Sequence, residues 1–99
     1  MVVRKIRVGY RTFRLRKLDR VARHEYEGRT QRYEGMIEYD PHSPREEKVN
    51  TLVHELVHCL MDIWGQKDAD EALTGALANG LVASMQDNPA LWRWLVKHA

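Results

Sequence analysis

The chain has 99 residues with a formal net charge of +2, and 43% of its residues are hydrophobic while 30% are charged. This length fits one small domain, residues 1–99, and the composition is typical of a soluble globular protein rather than a disordered one. No apolar run approaches the roughly 20 residues of a membrane span, and the first residues do not resemble a secretory signal. We therefore expect no membrane partner and a cytoplasmic location.

The charge is unevenly distributed along the chain. Residues 1–39 contain 11 Lys and Arg against 5 Asp and Glu, a net of +6, whereas residues 40–99 contain 5 against 9, a net of −4. A basic half could attract nucleic acid or an acidic protein. Solvated strand faces and charged sheet edges explain it better, because regularly spaced stacking aromatics are not obvious. Nucleic acid is therefore the less favoured partner, although the basic half leaves it open.

Residues 1–40 predict mainly strands. Apolar residues alternate with charged ones from Ile6 to Tyr10 and, after a shift of phase, again from Phe13 to Leu15. A change of phase beside a glycine indicates a hairpin or bulge, which we expect around Gly9-Tyr10. Three further features are expected in this half: turns at Glu27-Gly28 and Glu34-Gly35, and a short strand at Met36–Tyr39.

Residues 44–64 predict a long first helix. Ser43-Pro44-Arg45-Glu46 has the form of a capping box with proline at the first helical position, and Gly65 is a C-terminal stop. Apolar residues cover most of its circumference, so we expect it in the centre of the domain. Polar residues interrupt them along one i, i+4 line: Asn50, His54, His58 and Asp62. A polar line on a buried helix needs partners, because unpaired buried polar groups cost several kcal/mol.

Two more helices are expected. The second, residues 68–87, begins with an apparent capping box in which Asp68 is the cap and Glu71 the residue that bonds back. The third, residues 89–98, is short, and Asn88 can cap it. Small residues on the second helix would allow close approach to the first. The residues expected to face the core are Leu73, Leu77, Leu81 and Met85 on the second helix, and Leu91, Trp92, Leu95 and Val96 on the third.

An H-E-x-x-H pattern begins at His54 within the first predicted helix. His54 and His58 leave one helix face a turn apart and can hold one Zn²⁺. A catalytic zinc site usually takes a third protein ligand. Antiparallel packing of the second helix across a short turn would bring its first turn close to His58, so we choose Glu71 as this ligand. Asp70 is the alternative and His98 a more distant one.

Glu55 is the predicted general base. It is rotated about 100° from His54 on a helix, so it cannot easily ligate the same metal, but it can take a proton from the attacking water and pass it to the leaving amine. Asp62 could orient a histidine ring from the next turn. The single cysteine, Cys59, is expected as a small buried hydrophobe. An oxyanion donor is also expected, for which the open candidates are Tyr26, Tyr33 and Tyr39.

Gly35 to Pro41, followed by Glu47 to His58, resembles the small zincin metallopeptidase-like proteins of phages and prophages. More distantly, the chain is similar to repressor-cleaving and SprT-like peptidases. The resemblance implies an α+β minimal zincin fold, with a small antiparallel or mixed sheet packed on the H-E-x-x-H helix. It also implies a gluzincin-type Zn²⁺ site of His54, His58 and Glu71, with Glu55 as catalytic base. The expected activity is hydrolysis of a peptide or protein substrate in the cytoplasm of the host.

A non-catalytic alternative stays open. The metal could instead stabilise a small interaction module of phage origin, whose basic N-terminal half would bind a protein or nucleic-acid partner. A closed structural zinc site has four protein ligands and no need of a carboxylate at position 55, so Glu55 favours catalysis.

Overall fold

The computed structural model describes residues 3–19, 28–31, 34–64 and 70–99, and these residues form an α+β fold of four strands and three helices. The α+β class is therefore confirmed, and none of the described helices is long and apolar enough to cross a membrane. The strands are β1 (Lys5–Val8), β2 (Arg11–Lys17), β3 (Gly28–Gln31) and β4 (Met36–Tyr39). The helices are α1 (Arg45–Ile63), α2 (Glu71–Asp87) and α3 (Pro89–His98).

The four strands form one mixed sheet in the order β1-β2-β4-β3. β1 and β2 are antiparallel, β2 and β4 are parallel, and β3 pairs antiparallel with β4. The expected hairpin is confirmed at Gly9-Tyr10, where Gly9 has a φ of +59°, a left-handed conformation that glycine adopts without steric cost. Strand β4 is buried along its whole length, while β3 lies at one edge of this sheet.

The two expected Glu-Gly turns have different outcomes. Gly35 has a φ of +65° and forms the turn before β4, as expected. Gly28 is not a turn residue, because it is the first residue of β3, and Glu27 lies outside the described residues. At Gly28 the lack of a side chain serves close packing, since a Cβ there would overlap the side-chain methyl of Thr51 on α1.

The buried cluster lies between the sheet and α1. Its fully buried members come from the hairpin, the central strand and the helix: Val8, Phe13, Ile37 and Cys59. Helix α1 also contacts α2, so it lies between the sheet and the second helix. Its burial is nevertheless incomplete, because Val49 and Leu60 are exposed. The burial expected for Cys59 is confirmed.

The start of α1 differs from the expected capping box. Pro44 is the N-cap rather than the first helical residue, and no side chain caps this end. The Ser43 hydroxyl instead donates to the backbone carbonyl of Asp40 at 2.9 Å, because Asp40 organises the preceding turn and its carboxylate accepts from the His42 N–H. Gly65, the expected C-terminal stop, lies outside the described residues, and the observed C-cap is Trp64.

The inward face of α2 is only partly the predicted one, and that of α3 is not. The fully buried residues of α2 are Thr74, Ala78 and Val82. Of the four residues expected to face the core, Leu73 and Leu77 are 47% and 43% exposed, while Leu81 and Met85 are half-buried. Close packing of α1 and α2 selects the line of smaller residues. Helix α3 contacts only α2 among the described elements and has no buried residue. Of the residues of α3 that were expected to face the core, Trp92 is half-buried, and the others are exposed: Leu91, Leu95 and Val96.

Asn88 is the N-cap residue of α3, as expected, but its side chain does not cap this helix. The Asn88 amide instead donates to the Ser84 carbonyl at 3.2 Å, and its backbone N–H bonds to the same oxygen at 2.9 Å. Asn88 therefore satisfies the C-terminal end of α2, where carbonyls lack helical partners, rather than the first turn of α3.

Candidate metal centre

Two histidines share one face in the middle of α1. His54 and His58 are one turn apart, so their rings are neighbours, with centroids 4.9 Å apart and planes inclined by 68°. Both side chains are about three-quarters buried, with 27% and 26% of their surface exposed. Each ring thus has a fixed surrounding and an accessible edge, as a metal ligand requires.

Glu71 completes this group from the first turn of α2. Its Oε2 lies 2.9 Å from Nε2 of His54, and its Oε1 lies 2.7 Å from Nε2 of His58. One ligand atom from each of the three side chains lies within 4.8 Å of the others. Two imidazoles and one carboxylate are a donor set that divalent metals accept, so this group could hold a metal ion.

The cap of α2 explains why Glu71 can lie there. Glu71 was a candidate both for capping α2 and for binding the metal. It is not needed as a cap, because the N-cap is Asp70, whose carboxylate accepts from the Leu73 N–H at 2.6 Å. Asp68, the expected cap, lies outside the described residues. Asp70 is therefore engaged with the backbone, and Glu71, the next residue, turns towards the histidines.

The packing of α2 on α1 keeps the site open. Thr74 is fully buried between the two helices, with its hydroxyl 3.9 Å from the sulfur of Met61. Gly75 faces the His54 ring, where an added Cβ would lie 3.9 Å from Cε1. The glycine leaves this side of the ring uncovered, while Glu71 itself is 75% exposed and accessible from solvent.

The electrostatics of the site favour an ionised Glu71. Partial burial alone would raise the pKa of this carboxyl, but hydrogen bonds accepted from the two imidazoles, together with the charge of those rings, outweigh it and lower the pKa below the ordinary value. The position in the first turn of α2 acts in the same direction, because a helix N-terminus stabilises negative charge. A carboxylate ready in its charged form is the state that binds a cation.

Glu55 leaves α1 in a different direction from His54 and His58, the two residues of this helix that belong to the candidate site. It is only 8% exposed, and its Oε2 accepts a hydrogen bond of 2.6 Å from the hydroxyl of Thr30 on β3. Three residues of an α-helix turn through about 300°, so Glu55 is about 60° from His58 around the helix axis. It is thus beside the group, and it is not among the residues that converge there.

The other candidates take varied positions. Asp62 is half-buried one turn after His58, and its role as an orienting carboxylate stays a prediction. Tyr39 is buried in β4, whereas Tyr26 and Tyr33 lie outside the described residues, so the oxyanion donor also stays a prediction. His98 does not join the group, because it is on α3, where its ring stacks on Trp94.

Sequence reasoning missed Thr30 altogether. The sequence predicts a turn at Gly28 and therefore no strand face for residues 28–31. In β3 the side chains of Arg29 and Gln31 bond to Glu38 on the outer face, while Thr30 points the other way, to α1. The alternation of small and long side chains in Gly-Arg-Thr-Gln was the available signal, and it is a weak one.

The arrangement offers three convergent ligand atoms, a nearby buried carboxylate and an accessible face. In comparisons with known proteins, no family model, no curated protein and no solved structure matches this chain significantly. We therefore infer function from the geometry of these side chains.

Proposed function

We propose that this protein is a zinc-dependent metallopeptidase of zincin type, in which His54, His58 and Glu71 bind Zn²⁺. The observation that carries the proposal is the convergence of Nε2 of both histidines on the two carboxylate oxygens of Glu71, at 2.9 and 2.7 Å. Three protein ligands leave one position of a tetrahedral zinc for water or substrate, as in catalytic sites. When bound there, the metal would lower the pKa of a coordinated water and polarise a peptide carbonyl.

Glu55 is the general base in this proposal. Its position on α1, next to His54 and about 60° from His58 around the helix, separates it from the ligands while keeping it adjacent to them. Its carboxylate would take the proton of the attacking water and transfer it to the amine of the departing peptide. Burial supports this role, because a proton acceptor shielded from bulk water is less solvated and reacts in a fixed position.

The proposed substrate is an extended segment of peptide or protein. Strand β3 lies at the edge of the described sheet and carries Thr30, which contacts Glu55. An extended peptide could pair with this edge and so pass along the side of α1 that carries the base. In this mode of binding, the main-chain hydrogen bonds of the peptide give most of the affinity. It therefore fits an enzyme that cleaves exposed or unfolded segments.

A non-catalytic zinc-stabilised module is the second candidate, and the Thr30–Glu55 hydrogen bond is the observation that favours it. A buried carboxylate that ties a strand to a helix can serve the fold alone. Under that function, Glu55→Gln would keep every property of the protein apart from some stability, since an amide also accepts a hydrogen bond. Catalysis instead requires the carboxylate itself, so this substitution separates the two candidates.

The experiment compares untagged, zinc-loaded wild type with Glu55→Gln on a quenched-fluorescence peptide library. Glu47→Gln, which changes an exposed glutamate in the first turn of α1, is the matched control. We expect equal zinc content in all three proteins and loss of about 10²- to 10⁴-fold in hydrolysis for Glu55→Gln alone. Absence of hydrolysis by the zinc-loaded wild type, or equal rates for wild type and Glu55→Gln, would refute the peptidase.

A further inference from the structure

We infer that Thr30 is a positioning residue for Glu55, so that the edge strand of the sheet is part of the catalytic apparatus. The inference rests on the proposed function for its catalytic meaning, and on geometry for the contact itself. The hydroxyl of Thr30 donates to Oε2 of Glu55 at 2.6 Å, across 25 residues of sequence. A hydrogen bond to a charged acceptor is short and strong, so it can select one orientation of the acceptor.

The match between strand and helix repeats explains this contact. Two residues of a strand advance about 6.6 Å, and four residues of an α-helix advance about 6.0 Å. Gly28 and Thr30 therefore lie opposite Thr51 and Glu55 when β3 runs along α1, which is the observed pairing. The alignment of β3 with α1 therefore rests on two successive contacts, Gly28 with Thr51 and Thr30 with Glu55, and not on one side chain alone.

Pairing with β4 holds Thr30 at this distance. Thr30 is opposite Ile37, a fully buried residue of β4, and its neighbours Arg29 and Gln31 both bond to the buried Glu38. The strand is thus fixed to the sheet on both sides of Thr30. A threonine held in this way presents its hydroxyl from a rigid element, as precise placement of a reacting group requires.

The bond uses one oxygen of Glu55 and leaves the other for proton transfer. Within the described ranges, Thr30 is the residue whose side chain bonds to this carboxylate, and the bond is made through Oε2. A glutamate side chain has three rotatable bonds, so without a partner it would occupy several orientations. Thr30 removes this freedom before substrate arrives, and reaction rates depend on such preorganisation.

The test replaces Thr30 by valine, which keeps the branched shape and the strand preference but removes the hydroxyl, and by serine, which keeps the hydroxyl. Thr12→Val, at an exposed threonine of β2, is the matched control. For Thr30→Val we expect kcat about tenfold lower, with KM and zinc affinity unchanged. Thr30→Ser should restore most of the rate, and Thr12→Val should equal wild type. If Thr30→Val does not fold, Thr30→Ala takes its place.

Crystal structures of the zinc-loaded proteins give a second readout that does not need activity. We expect one Glu55 conformer in wild type and Thr30→Ser, and a displaced or multiple conformer in Thr30→Val. If wild type hydrolyses no peptide, the proposed function fails, and the crystal structures still decide whether Thr30 positions Glu55. A Thr30→Val protein with an unmoved Glu55, or with wild-type kcat, would overturn the inference.

Discussion

His58 and Glu71 meet across the packing of α1 on α2, with Nε2 of the ring 2.7 Å from Oε1 of the carboxylate. The two residues are 13 positions apart in sequence and belong to different helices. The contact is possible because the neighbouring carboxylate, Asp70, supplies the helix cap and Glu71 is not needed for it. Two adjacent acids thus have separate tasks, one for the stability of a helix and one for the candidate metal site.

This division of tasks predicts opposite effects for two neighbouring substitutions. Asp70→Ala should lower the free energy of unfolding by about 1 kcal/mol, because it removes the cap of α2, and should leave zinc affinity nearly unchanged. Glu71→Ala should weaken zinc binding by more than the 10- to 100-fold typical of residues that only support a ligand. Chemical unfolding in the presence of a chelator and competitive zinc titration measure the two quantities. Full retention of zinc affinity by Glu71→Ala would refute its role as ligand.

Gly28→Ala should disturb the site from a distance. The added methyl would overlap the side chain of Thr51, so β3 must move away from α1 and carry Thr30 with it. We expect loss of about 1–3 kcal/mol of stability, as is typical of overpacking, and a lower rate of hydrolysis at unchanged zinc affinity. Gly28→Ala combined with Thr51→Ser, which removes the overlapping methyl, should recover part of both, because the new Cβ would still lie 3.1 Å from the Glu38 carbonyl oxygen. Failure of this pair to recover stability would contradict the close approach of Gly28 and Thr51.

Much of this fold could be predicted from the alternation and turn residues of the chain. The hairpin at Gly9-Tyr10, the strand Met36–Tyr39 and the three helices all appear where expected, because their signals are local. The two histidines of the site also come from local spacing on one helix. Glu71 needed one further assumption, that a short connection makes α1 and α2 antiparallel.

The failed predictions share a cause, which is that they depend on tertiary choices. Strand β3 was missed because Gly28 is selected by the proximity of Thr51, a contact that sequence spacing does not reveal. The sequence predicts the leucines and Met85 as the inward face of α2, whereas close packing on α1 fully buries Thr74 and Ala78. The role of Thr30 was not predicted either, because Thr30 belongs to β3, which was missed. Hydrophobic periodicity indicates which face of a helix can be buried. The face that is actually buried depends on the neighbouring element that packs against the helix.

Glu38 should make stability depend on pH in the acid range. Burial alone would raise the pKa of this carboxyl, but hydrogen bonds from Arg29 and Gln31 and the charges of Arg29 and Arg16 outweigh it and lower the pKa. A carboxyl whose pKa is lower in the folded chain stabilises it above the unfolded value of about 4.3, and this contribution is lost as pH falls through the folded value.

Glu38→Gln should therefore cost about 1–3 kcal/mol of unfolding free energy at pH 7 and progressively less below pH ~4. Urea unfolding of both proteins with chelator present measures the difference without interference from metal. Glu34→Gln, at an exposed turn position, should show no such dependence. An equal difference at pH 7 and pH 3 would contradict the ion-pair role of Glu38.

Cys59 should react slowly with thiol reagents in the folded protein. Burial, together with the charges of Glu55 and Asp62, raises the pKa of this thiol to about 11, against a smaller opposite effect of a hydrogen bond with Thr30. Only the thiolate reacts, and at pH 8 it would be roughly a thousandth of the folded population. The side chain is also 1% exposed. Alkylation at pH 8 should therefore be slow without urea and fast in it, and equal rates would contradict this burial.

The most direct measurement of the central claim is the coordination of zinc in a crystal of the loaded protein, located by anomalous scattering at the zinc edge. We predict one zinc per chain, bound by Nε2 of His54, Nε2 of His58 and the Glu71 carboxylate, with a water in the fourth position and Glu55 unligated. A fourth protein ligand would contradict a catalytic centre, and zinc bound away from these three residues would contradict the site itself.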